Sequence, residues 1–122
     1  LSGRERQISV LTVVRFWDAK YPWAVQVRAS LGAGVGQAEI DAINERRDPG
    51  LTDPREKMAL EVTTQLLNAH RLTDETYAAA EELFGEGDLV ALIGVAGYFG
   101  MVATTANAID ATPPDDAPAR LV

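Results

Sequence analysis

DLVALIGVAGYFGMVATTANAI, residues 88–109, decides the fold. After Asp88 it carries no charge, and its length approaches that of a membrane span. Gly94, Gly97, Gly100, two threonines and an asparagine interrupt it, which argues for a buried helix in a soluble, cytoplasmic protein and against a transmembrane segment. A helix with no polar face is expected to be covered on all sides, either inside its own domain or across subunits.

The elements before it read as further helices. Val10, Val13, Val14 and Trp17 recur at helical spacing and predict a first helix over about residues 4–18. Pro22 suits the first turn of a second helix, about residues 21–31, which stops at Gly32 and Gly34. Residues 37–46 carry Ile40, Ala42 and Ile43 and predict a third, followed by the turn Arg47-Asp48-Pro49-Gly50. Asp53, Pro54 and Glu56 make a strong helix start, and that helix runs to about His70 with Met58, Val62, Leu66 and Leu67 inward. Thr73 caps a fifth, ended by Gly85, and Asp88 opens the last. The expectation is an all-α domain of about six helices over residues 1–110, with an extended or disordered tail over 111–122 that holds three prolines. No strand, repeat or linker pattern appears in the sequence.

Composition narrows the function classes. At 122 residues and 47% hydrophobic, the chain can fold as one domain. A domain this small buries only about two-thirds of its surface alone, which favours oligomerisation. A net charge of −7 with no Lys/Arg cluster argues against nucleic acid and anionic membranes as partners. There is no cysteine, so the chain supplies no disulfide, thiolate metal site or thiol-based redox step. With a single histidine, His70, at a helix end, no metal and no cofactor are expected.

The candidate site residues cluster around the junction of the first two helices. Trp17, Tyr21 and Trp23 fall within seven residues and read either as core and interface aromatics or as the wall of an apolar ligand pocket, to which Tyr98 of the last helix is added. Gln7 and Gln26 stand among apolar residues of neighbouring helices; buried amides need partners, and these two can bond each other, the backbone or a ligand.

Here the chain resembles a known family. The stretches Arg6-Gln7-Ile8-Ser9-Val10-Leu11-Thr12-Val13, Tyr21-Pro22-Trp23-Ala24, Gly32-Ala33-Gly34, Ala38-Glu39-Ile40, Leu72-Thr73-Asp74-Glu75-Thr76-Tyr77, Leu89-Val90-Ala91-Leu92 and Gly97-Tyr98-Phe99-Gly100-Met101-Val102 are similar, in order and spacing, to the carboxymuconolactone decarboxylase and alkylhydroperoxidase D superfamily over about residues 4–110. The resemblance implies an all-helical fold assembled as trimers or hexamers, with a site between helices and often at a subunit boundary. In the hydroperoxidase branch a glutamate, a Cys-x-x-Cys pair and a histidine form a proton relay; the matching positions here are Gln7, Ala19, Pro22 and Gln26. Without a thiolate nucleophile, thiol peroxidase activity is excluded. The decarboxylase branch keeps a histidine where this chain has Gln26, and an amide cannot take or give the proton.

Three readings follow. The first is a cofactor-free enzyme, of lyase or isomerase type, acting on a small cyclic or unsaturated acid or lactone, with Gln26 and Gln7 polarising a carbonyl and Trp17, Tyr21, Trp23 and Tyr98 packing its ring. The second is a catalytically inactive oligomeric binding or scaffold protein of the same fold. The third keeps an enzyme but moves acid and base work to Glu61, Arg15, Tyr98 or His70, with Glu61 otherwise a solvated residue paired with Lys57.

Overall fold

Ser2 and Glu5 cap one another at the start of the first helix: the Glu5 N–H donates to Ser2 Oγ at 3.0 Å, and the Ser2 N–H to Glu5 Oε1 at 3.1 Å. From this box helix α1 runs over Gly3–Phe16, and a left-handed Asp18, φ 52°, turns the chain into α2, Lys20–Gly32. Gly34, φ 92°, then makes a turn that a side chain would strain, and α3 follows over Gln37–Asn44. The Asp53 carboxylate accepts the Arg55 and Glu56 N–H groups and starts α4, Pro54–Ala69, which His70 closes in the left-handed region. It is the backbone N–H of His70, donating to Leu66 O, that ends this helix. The Thr73 hydroxyl accepts from the Thr76 N–H and opens α5, Asp74–Ala108. The computed structural model describes residues 1–117 and 120–122, and these contain five helices and no strand.

The fifth and sixth helices expected from the sequence are the two halves of α5: Gly85, φ 74° and ψ 166°, leaves helical geometry where the stop was expected, and the two helical stretches join across that kink. A kink at a glycine needs no intervening loop.

The helix at the centre is α1, not the last one. It packs against every other helix, and Ile8, Val10, Leu11, Val13 and Val14 are fully buried with Trp23, Val27, Ile40 and Phe99 around them. Helix α5 lies at the edge: Leu89, Leu92, Ala96, Phe99 and Ala103 face inward, while Val90, Tyr98 and Met101 are exposed. The expectation that this helix is covered on every side therefore fails for the single chain. By length and composition α5 is apolar enough to cross a membrane, yet one stripe of it belongs to the bundle core.

Charged clamps fix the other helices onto α1. Arg4 holds Glu39 of α3 and Glu56 of α4 together, with contacts between 2.8 and 3.1 Å, and Arg55 of α4 reaches back to both oxygens of Glu5 at 3.1 Å. A buried hydroxyl pair, Ser9 and Thr63 at 2.7 Å, pins α1 to α4 between these clamps. An extended or disordered tail was expected over 111–122; the described residues after Asp110 contain no helix, and the end returns to the bundle: Leu121 packs on the core, Arg15 donates to Val122 O, and Asn44 holds the backbone of Arg120 and Val122.

Candidate functional site

Gln7 sits in the second turn of α1 and Gln26 in the middle of α2, and the packing of these helices brings the two amides together. Gln7 Nε2 donates to Gln26 Oε1 at 3.0 Å and to Ser30 Oγ at 3.1 Å. Its Oε1 accepts from Arg6 Nη1 at 2.9 Å, and the Arg6 guanidinium lies 5.5 Å from the centre of the Phe99 ring. At 4% exposure Gln7 is the buried hub: both N–H directions of its amide and one of the two lone pairs on its Oε1 are used within the protein. Gln26 is half-buried, and its Nε2 donates to no other residue among those described. The cluster thus offers one unspent amide donor and one cation, with no carboxylate in it.

Arg6 is the member that sequence reading misses. Adjacent residues on a helix point about 100° apart, so Arg6 and Gln7 do not share a face by spacing. Only the length of the arginine side chain lets its head return to the neighbouring amide. Ala19 and Pro22, at the places of the resembled cysteines, are both buried apolar residues at the start of α2.

The expected aromatic pocket is not assembled. Trp23 is fully buried in the main core, and its Nε1 has no hydrogen-bond partner among the described residues. Trp17, Tyr21 and Tyr98 are 41%, 45% and 56% exposed. Trp17 caps α1 beside α5, with Asn107 donating to its carbonyl at 2.6 Å, and Tyr98 stands edge-on to Phe99. These three are surface aromatics, and neither they nor the glutamines line the cavities of about 710 Å³ and 530 Å³. The sequence placed Trp23 correctly on α2 but could not tell its inward face from the outward face of Tyr21, because the flanking residues Pro22, Ala24 and Val25 are all apolar.

The alternative acid and base residues separate in space. Arg15 is a buried strut, bonding Asp18, Asn44 O and Val122 O. Glu61 is exposed on α4 and accepts from Gln65 Nε2 at 2.7 Å, with no ion pair to Lys57. His70 is exposed at the end of α4, far along the helix from the chemistry proposed for it, and lines neither cavity. Arg15 and Glu61 do meet at a second place, a cavity of about 710 Å³ between α1, the loop after α3, and α4.

The perturbed carboxyls all belong to the clamps. Hydrogen bonds from Arg55 hold the Glu5 carboxyl below its usual range, and those from Arg4 do the same for Glu39. Nothing of this kind touches the glutamine cluster, and among the described residues no three His, Asp or Glu side chains converge as a metal would require. Comparison with known protein families, with curated proteins and with solved structures finds no match to the chain.

Proposed function

We propose that the chain is a carboxymuconolactone decarboxylase-like helical protein that binds a small cyclic or unsaturated carboxylic acid or lactone at the Arg6, Gln7 and Gln26 cluster. The observation that carries this reading is the division of labour between the amides: Gln7, held by Arg6 at its oxygen and by Gln26 and Ser30 at its nitrogen, fixes the orientation of Gln26 and leaves Gln26 Nε2 unspent in the cluster that also holds the Arg6 guanidinium. An oriented amide donor in one cluster with a cation suits a carbonyl and a carboxylate on one small molecule. The chemistry such a site supports is cofactor-free polarisation of the carbonyl, as in a decarboxylation or isomerisation whose proton comes from water, because neither amide transfers a proton. A catalytically silent binding protein uses the same contacts, and the engagement of Gln7 within the protein favours that second reading if turnover is absent.

We propose in addition that the chain self-associates through α5. Gly87, Val90, Gly94, Gly97, Met101, Thr104 and Ala108 are all exposed on α5 and alternate in steps of three and four residues, the repeat of a helix seam that packs against another helix. A second copy of this chain covering that seam would bury the apolar face of α5 and enclose Tyr98, converting an open surface into a pocket wall. Analytical ultracentrifugation reads this directly: the wild type sediments as an oligomer and Met101→Glu, which changes an exposed side chain, as a monomer. A monomeric wild type refutes the assembly.

Ligand binding is tested by thermal shift against unsaturated acids, lactones and aromatic acids. A ligand at a hundred times its Kd adds about 2.7 kcal/mol of stability. The stabilisation is expected to disappear in Gln26→Ala; a ligand that stabilises both proteins equally refutes the site.

A further inference from the structure

We propose that the cavity between α1, the loop after α3, and α4 is a binding site for a small organic acid with an apolar body, separate from the glutamine cluster. Its volume of about 710 Å³ falls inside the range of about 300–1,000 Å³ typical of small-molecule sites. Helix α4 supplies it with two parallel stripes. Leu60 and Leu67, one heptad apart, give an apolar stripe that continues across to Phe16 and Leu51; Lys57, Glu61, Thr64 and Asn68 give a polar one at helical spacing.

What matters is which of these polar groups the fold has already used. Glu61 is taken by Gln65 at 2.7 Å, and Asp48 by the Gly50 N–H at 2.8 Å. Arg15 and Arg46 both pair with Asp18, and Arg47 pairs with Glu45. Lys57 has no ion-pair partner among the described residues, and neither the Thr64 hydroxyl nor the Asn68 amide is hydrogen-bonded to any of them. The unspent groups are therefore an ammonium, a hydroxyl and an amide, each able to donate, ranged along one face of a helix above an apolar floor, with Glu61 Oε2, to which no described residue donates, on the same face. Donors of that kind match a carboxylate, and the floor matches a hydrocarbon chain or ring. With the ion-pair partners Asp18 and Glu45 counted, four cations stand against four carboxylates here, in a chain whose net charge is −7. A balanced cleft in an acidic protein repels an anion less than the surface around it does. None of Arg6, Gln7, Gln26 or Ser30 takes part, so this site stands or falls independently of the one above.

The test titrates octanoate into the full-length, nitrogen-15-labelled chain, with 1-octanol as the uncharged counterpart, and maps the amide shifts by NMR. Octanoate is expected to shift the amides of Phe16, Leu60 and Thr64 and to bind more tightly than octanol. Lys57→Met, at an exposed position that leaves the core intact, should weaken octanoate by about fivefold and leave octanol unchanged, the size expected of one partly solvated charge contact. Leu60→Gln should weaken both ligands. The proposal is overturned if the shifts fall on α5 or around Gln26, if no shift occurs, or if Lys57→Met keeps the preference for octanoate. Gln26→Ala should leave these shifts in place, so a failure here is distinct from a failure of the glutamine site.

Discussion

Replacing Gln7 and replacing Gln26 should have unequal consequences for stability, although the two residues share one hydrogen bond. Gln7→Leu keeps the volume but removes the only partner that the Ser30 hydroxyl has among the described residues, and Ser30 is fully buried. Leaving a buried hydroxyl unpaired costs about 1–3 kcal/mol. Gln26 Oε1 loses the same donor but is half-buried, so water replaces it at little cost. The expected destabilisation is about 2 kcal/mol, or about 8 °C in Tm for a domain of this size. Gln26→Ala takes away one of the two acceptors of Gln7 Nε2 and leaves Ser30 as the other. It should cost about 0.5 kcal/mol, near 2 °C. Urea unfolding followed by far-UV circular dichroism, at one fixed protein concentration, measures both. Ligand stabilisation should then vanish in Gln26→Ala, the more stable variant. The reasoning is refuted if Gln26→Ala is destabilised as much as Gln7→Leu, because Gln26 would then be the structural partner.

Two further outcomes follow from the helix clamps and the buried hydroxyls. Glu5 and Glu39 hold their protons less tightly in the folded chain than the usual value of 4.5, so each contributes stability that is present above that value and lost as pH falls through the lower folded value. Between about pH 5 and about pH 3 the urea midpoint of the wild type should fall more steeply than that of Glu5→Gln/Glu39→Gln, and parallel curves would refute the assignment. Thr63 donates to Ala59 O and accepts from Ser9, so Thr63→Val strands a fully buried Ser9 hydroxyl at about 2 kcal/mol. Adding Ser9→Ala to Thr63→Val should restore part of that loss; a double variant less stable than Thr63→Val alone would show that the pair is not the coupling.

Much of the fold is legible in local chemistry. Asp53 with Pro54, Thr73 and Gly85 each mark a helix boundary within a residue or two, because caps and left-handed glycines act over a single turn. What the sequence conceals is which face of an apolar helix meets the core. In α5 both faces are apolar, so periodicity cannot separate the buried Leu92 and Phe99 from the exposed Val90 and Met101. In α1 the reverse holds: Ser9 and Arg15 look like surface residues, yet they lie inside because each has a partner on another helix. The amide pair was foreseeable from two glutamines among apolar neighbours, whereas the role of Arg6 and the cavity beside Lys57 depend on contacts between elements far apart in the chain.

The basic residues show where function can reside. Arg4, Arg15 and Arg55 are consumed by the fold, each tying two or more helices or loops to α1, and replacing any of them leaves partner groups unsatisfied. Arg6 and Lys57 are not consumed in this way: Arg6 holds one amide and faces a ring, and Lys57 holds nothing among the described residues. Buried cations without a structural task are costly, but these two stand at solvent-facing positions where the cost is small. Each shares its surroundings with unspent hydrogen-bond donors: Arg6 and Gln26 both bond Gln7, and Lys57 lines one cavity with Thr64 and Asn68. Arg28 and Arg71 also lack an ion pair among the described residues, but neither joins the glutamine cluster or lines that cavity. At Arg6 and Lys57 a small anion meets both attraction and donors without first breaking an ion pair, and both proposals rest on that difference between cations the fold uses and cations it leaves.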